Sequence, residues 1–221
     1  MAQYLHWQER RLARAGVRIE TGRRADHDAV LAGGFDVVAL ATGASPRRPP
    51  VPGAETATEG RDLLAGRAEA GARVLVIAEE DHMQPLALAG FLATRGHLVT
   101  LVYATPTPAI LLGRYSIGAP LARLDAAGVA VRTLEQVVAI RPGGAVLRHV
   151  YSKREFAVDG FDTVALACGG VADSALHAAL VGRHPEVHLL GDAFAPRRLV
   201  FATRQARALA AILAEDRAGA V

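Results

Sequence analysis

Phe35 to Ser45 reads FDVVALATGAS, and Phe161 to Val171 reads FDTVALACGGV. The two stretches lie 126 residues apart and agree at Phe, Asp, Val, Ala, Leu, Ala and Gly. Each is a near-continuous apolar run closed by a glycine, the pattern of a strand in a parallel sheet covered on both faces. A second pair precedes them: AGVRIET at 15–21 and AGVAVRT at 127–133, 112 residues apart. In both copies a helix is expected to end in Ala-Gly-Val and to feed a strand. The offsets differ by 14 residues, which an extra hairpin over 144–158 absorbs. Parallel α/β sequences produce single strings of this kind by chance. Two matched pairs in the same order point instead to an internal duplication.

Working outward, residues 2–15 (AQYLHWQERRLARA) read as an amphipathic helix with Tyr4, Leu5, Leu12 and Ala15 on one side. Gly16 ends it, and Val17–Glu20 is the expected strand. Arg73–Ala78 (RVLVIA) and Leu98–Tyr103 (LVTLVY) are apolar strands joined by a helix over 83–95. That is the parallel crossover signature. A helix over 116–127 leads to a strand at 129–133, and the hairpin turns at Ser152-Lys153. Another strand over 187–190 precedes GDAFAPRR and a last helix over 200–215, while the Pro-rich 44–58 reads as a connecting loop. Trp7 and Tyr4 on the first helix are either packing residues or an exposed patch.

The chain has 221 residues, 51% of them hydrophobic, enough for one large domain or two small ones. No apolar run approaches the roughly 18 residues of a membrane span, and residues 1–15 do not read as a secretion signal. The single Cys168 forms no internal disulfide, which fits a reducing cytoplasm. A net charge of +3 admits nucleic acid on charge alone. The arginines are mixed with acids and no nucleic-acid-reading motif appears, so no nucleic-acid partner is expected. No Cys/His cluster has metal-ligand spacing.

The order helix, AGV strand, FDVVALATGA, Pro-rich loop, nested second unit, GDA and final helix resembles the two-dinucleotide-domain flavoproteins. More narrowly, AVLAGGFDVVALATGASPRRPPVPG and LLGDAFAPRRLVFATRQARALA resemble the C-terminal part of the trimethylamine dehydrogenase and 2,4-dienoyl-CoA reductase family. VLVIAEEDHMQPLALAGFLATRGHLVTLVY resembles its amine-dehydrogenase and demethylase branch. The resemblance implies an α/β fold of two nested Rossmann-like parallel-sheet units, the outer one truncated. It implies an incomplete flavin-type domain over 1–68 and 184–221, around a nicotinamide-type domain over 69–183. It also implies an oxidoreductase module, with FMN and an iron–sulfur cluster supplied by a barrel-bearing partner chain. The alternative is a non-catalytic adenine-nucleotide-binding or interaction domain.

The candidate cofactor residues follow from the same segments. Ala41-Thr42-Gly43 ends a buried strand, and a glycine there lets backbone approach a ligand; a plain strand-end turn needs the same small residue. Gly191-Asp192 follows the last strand. The resemblance gives Asp192 a role against FAD or ADP, whereas local reasoning makes it a cap for the final helix. Arg197 and Arg198 meet phosphates or water. None of these residues is catalytic by itself.

A dinucleotide pyrophosphate usually rests on G-x-G-x-x-G at a strand–helix turn. No such loop precedes residue 35. In the second unit the corresponding turn reads Ala78-Glu79-Glu80-Asp81-His82, with three carboxylates where phosphates would lie, so tight NAD(P) binding is not expected there. In the strand order 3-2-1-4-5, strands 1 and 2 of the outer unit would be absent, leaving a gap of about 10 Å. Closure by direct pairing of strands 3 and 4, completion by a partner chain or second copy, or a marginally stable remnant are the expected outcomes.

Overall fold

The computed structural model describes residues 2–219. The chain divides into two compact units, Met1–Leu40 with Ser174–Leu189 and Ala41–Asp173 with Leu190–Val221.

The first unit opens with α1 (Ala2–Arg14), a run without Gly or Pro whose last turn carries Arg11 and Arg14, cations suited to a helix C-terminus. Gly16, at φ 67°, ends it. Helix α2 (His27–Ala32) is capped by Asp26, whose side chain accepts from the Ala29 N–H at 2.9 Å. Strand β1 (Val38–Leu40) follows. The second unit then begins with β2 (Ala44–Pro46), β3 (Thr58–Glu59) and α3 (Gly60–Leu64). Next come β4 (Arg73–Ala78), α4 (Gln84–Ala93), β5 (Leu98–Tyr103), α5 (Arg114–Ala126) and β6 (Ala130–Arg132). Strands β7 (Glu135–Arg141), β8 (Gly144–His149) and β9 (Glu155–Asp159) precede β10 (Thr163–Ala167) and β11 (Gly170–Ala172). The chain returns to the first unit with α6 (Ala175–Leu180) and β12 (Val187–Leu189), and ends in the second with a 3-10 turn, Gly191–Ala193, and α7 (Leu199–Gly219).

The second unit is built on a parallel sheet in the order β3-β10-β4-β5-β6. Alternation along β4 divides its side chains between two cores. Val74, Val76 and Ala78 pack with Leu86, Leu88 and Leu92 of α4 and Leu124 of α5. Leu75 and Ile77 pack on the other face with Val137, Ile140, Ala145 and Leu147 of the antiparallel sheet β7-β8-β9. Helices therefore cover one face and an antiparallel sheet the other, as burial of both faces of a parallel sheet requires. From β4 the chain winds through β5 to β6, whereas β10 lies on the other side of β4. The switch point of this sheet is thus at the carboxyl ends of β4 and β10, where ligands sit in doubly wound folds.

The first unit is smaller. Strand β1 pairs in parallel with β12, Val38 opposite Val187 and Leu40 opposite Leu189. Its core joins Val30, Val38, Leu40 and Leu180. Among the described residues β1 has no second neighbour.

The strands at 73–78 and 98–103, the 144–158 hairpin and the last helix stand where the sequence puts them. Val17–Glu20 forms no strand. Its residues are exposed, Val17 at 48% and Ile19 at 56%; a strand needs a neighbouring ladder, and none lies beside it among the described residues. Direct pairing of a 17–20 strand with β1 is therefore not the arrangement found. Tyr4 and Trp7 form an exposed patch, their ring centroids 5.9 Å apart and the Arg11 guanidinium 5.0 Å from the Trp7 ring centre. No described helix is long and apolar enough to cross a membrane.

Candidate nucleotide site

The two repeated strings meet at their tails. Strands β2 and β11, which follow the two glycines, pair antiparallel with Ala44 opposite Ala172 and Pro46 opposite Gly170. The zipper continues one step: the Asp173 N–H donates to the Gly43 carbonyl at 3.0 Å, and the Thr42 hydroxyl to the Asp173 carbonyl at 2.6 Å. Gly43 has φ 86°, a conformation that L side chains rarely adopt, and a Cβ placed there meets nothing within 4 Å. The backbone of Thr42-Gly43 is thus fixed by its partner strand and open on the side a side chain would occupy.

The turn Gly191–Ala193 borders the same ribbon. A Cβ on Gly170 would lie 3.3 Å from Pro196 Cβ and 3.1 Å from Ala44 Cβ, so this meeting point is tightly packed. The Gly191 N–H donates to Gln205 Oε1 at 2.8 Å, tying the turn to α7. Asp192 Oδ1 accepts the Arg197 N–H at 3.0 Å, so Asp192 closes the turn that precedes α7. The Arg197 guanidinium lies 4.7 Å from the Phe201 ring centre and 5.8 Å from that of Phe194, a stacked cation on an exposed surface. Of the expected residues, Ala41 to Gly43 and Gly191 to Arg197 therefore edge one ribbon of the second unit.

At the switch point, β10 ends in Cys168-Gly169. Arg47 holds this end: its N–H donates to the Gly169 carbonyl at 3.1 Å, its Nε to the Cys168 carbonyl at 2.9 Å, and its Nη2 to Glu79 Oε2 at 2.8 Å. Arg61 Nη2 also donates to the Gly169 carbonyl, at 3.0 Å. A Cβ on Gly169 would meet Cβ and Cγ of Glu80 at 3.9 Å. Glu80 Oε2, His82 Nδ1 and the Tyr103 hydroxyl are buried without a hydrogen-bond partner among the described residues. Burial raises the Glu80 carboxyl above its usual range; Arg61 opposes this, and Asp192 and Asp81 add to it. His82 is lowered, first by burial and then by Arg198. Burial pushes the Cys168 thiol up to about 12, with Glu79 adding to it, so it packs as a small apolar residue without thiolate character. Among the described residues no group of three or more His, Cys, Asp or Glu is placed to hold a metal ion.

The roles of Arg47, Arg61 and Gly169 are not visible in single segments. Gly169 was findable as the repeat partner of Gly43. Arg47 and Arg61 carried no signal, because each bonds a carbonyl more than 100 residues away.

No family model matches the chain. It is 28% identical over 192 residues to a protein named NADH oxidase from Thermoanaerobacter brockii, covering 85% of this chain and 29% of that protein. It is 26% identical over 224 residues to a metal reductase from Desulforamulus reducens, covering 86% of this chain and 33% of the other. The structure of histamine dehydrogenase from Rhizobium sp. 4-9 superposes with a TM-score of 0.73 at 27% identity, over 82% of this chain and 31% of that one. The chain is similar to these proteins, whose structural neighbours are of the NADH:flavin oxidoreductase kind. It spans about 30% of the length of the curated relatives it matches. The relatives it matches are named as oxidoreductases, and its parallel sheet shares the Rossmann-like fold of flavoprotein reductase structures.

Proposed function

We propose that the chain is the nucleotide-domain module of a flavin-dependent oxidoreductase of the amine dehydrogenase, demethylase or enoate reductase kind. In this reading Ala41, Thr42, Gly43, Gly191, Asp192 and Arg197 flank an adenine dinucleotide, FAD, or its ADP portion. The observation that carries the proposal is Gly43: a rigidly held backbone, open on its Cβ side, directly after a parallel strand. Asp192 and Arg197 bring one acceptor and one cation to the same ribbon, suited to hydroxyl and phosphate groups.

The residues fit part of a dinucleotide. Backbone approach at Gly43 and polar groups at Asp192–Arg197 are present, whereas no G-x-G-x-x-G phosphate loop stands in this sequence. That loop, with a strand to line the free edge of β1, is proposed to come from a further polypeptide segment or from a partner chain. When bound, a flavin supplies two-electron redox chemistry; this chain's residues bind and orient it. Substrate groups, FMN and an iron–sulfur cluster belong in this reading to the rest of the longer protein. The nested boundaries, 1–68 with 184–221 around 69–183, belong to the same proposal.

The test is the nucleotide content of the protein purified together with the polypeptide that supplies the phosphate loop, read by visible flavin absorbance and by mass spectrometry of what denaturation releases. About one adenine nucleotide per chain is expected, falling at least about tenfold in occupancy in Gly43→Val and Asp192→Ala. FAD supports the flavoprotein module, ADP alone the non-catalytic nucleotide domain, and the absence of both overturns the assignment of these residues.

A further inference from the structure

We infer that the cleft at the carboxyl ends of β4 and β10 is occupied by the chain's own Glu79 and Glu80 side chains, so that this end of the protein takes no nicotinamide dinucleotide. The inference goes beyond the reading of Gly43 and does not depend on it.

A strand–helix turn that holds pyrophosphate presents backbone N–H groups to it and keeps side chains out of the way. Here the turn after β4 carries Glu79, Glu80 and Asp81, and the two glutamates lie against the end of β10 and the residues that follow it. Glu79 pairs with Arg47 at 2.8 Å, so a cation of the switch point already holds a carboxylate. Its N–H donates to the Ala167 carbonyl at 3.1 Å and is likewise committed. Glu80 lies across Gly169, its Cβ and Cγ 3.9 Å from where a Cβ of that glycine would be. The small residue that would admit a ligand is therefore covered from within. Pro85 in the first turn of helix α4 removes one N–H that an anion would use. The Cys168 and Gly169 carbonyls and the buried Glu59 carboxylate, which also face Arg47 or Arg61, are hydrogen-bond acceptors and repel phosphate as well. Steric filling and charge act in the same direction, although one curated relative is named for NADH.

The experiment is a titration of the purified protein with NADH, and with NADPH in parallel, followed by nucleotide fluorescence. The wild-type chain is expected to show no saturable binding up to about 1 mM, the upper end of ordinary KM values. A Glu79→Ala/Glu80→Gly double variant should gain at least about tenfold in affinity. Glu80→Gln keeps the volume and removes the charge, so it should gain less than Glu80→Gly. If the double variant does not melt cooperatively, the two single Glu80 variants decide, since both keep the Arg47–Glu79 pair. Saturable wild-type binding that persists in Gly43→Val overturns the inference; binding lost in that variant belongs to the other glycine and leaves the inference standing. A folded variant that binds no better than wild type also overturns it. Flavin or ADP content is a separate readout, so failure of the proposed function and failure of this inference are distinguishable.

Discussion

Strands β1 and β10 carry nearly the same residues and live in different surroundings. Ala165, Leu166 and Ala167 of β10 are fully buried, because β3 and β4 flank that strand and apolar layers cover both faces. In β1 the matching Leu40 is buried but Ala39 is exposed, and only β12 lies beside the strand among the described residues. The glycines that follow diverge in the same way. Gly43 is open on its Cβ side, whereas Gly169 is covered by Glu80 and clasped by Arg47 and Arg61. A repeated string thus specifies a strand and a turn. Whether that turn becomes an entrance or a seal depends on what the rest of the chain lays against it.

Substitutions at matched positions put this contrast to the test. Ala165→Asp places an uncompensated charge in a closed core and should cost more than about 4 kcal/mol, abolishing the cooperative urea transition of the second unit. Ala39→Asp should cost only about 0.5 kcal/mol. An equally large cost there would show that the exposed face of β1 is covered in solution. Leu166→Ala should cost about 3 kcal/mol and Leu40→Ala about half that, in the same denaturation experiment, because the small core around Leu40 collapses more readily around a cavity.

Arg47→Ala removes two side-chain hydrogen bonds at the sealed glycine and should cost about 2 kcal/mol by thermal melting. Glu80→Gln should stabilise the protein by about 1 kcal/mol at pH 7, since it removes a half-buried carboxylate with an unpartnered oxygen. The folded-state value of Glu80 is raised above its ordinary 4.5, so the wild type recovers stability as the pH falls through that raised value. The advantage of Glu80→Gln should therefore shrink toward pH 4.5; an advantage that grew in acid would contradict burial as the cause. Thr42→Val, on the open side, loses one exposed hydrogen bond and should cost about 0.5 kcal/mol.

Much of the second unit was legible beforehand. RVLVIA and LVTLVY became strands at the expected residues, because a six-residue apolar run between turn signals has few other uses. The hairpin arms were readable from alternation, but its third strand, Glu135–Arg141, was not; it ends in a polar Arg-Pro segment and draws its stability from packing under β4. Strands β2 and β11 escaped notice because each is three residues long and pairs only with the other. Val17–Glu20 failed in the opposite sense: its residues suit a strand, yet no strand pairs with them among the described residues.

By itself the sequence determined the α/β class, the repeated strings, the strand-end glycines and the acidic turn, since these rest on local periodicity, on steric freedom at glycine and on charge. Only the tertiary structure decided that the two tails pair with each other, that Arg47 reaches Cys168, and that Glu80 covers one glycine while the other stays open. Those contacts join residues more than 30 positions apart, and they exist only once a packed sheet has brought its carboxyl ends to the same place.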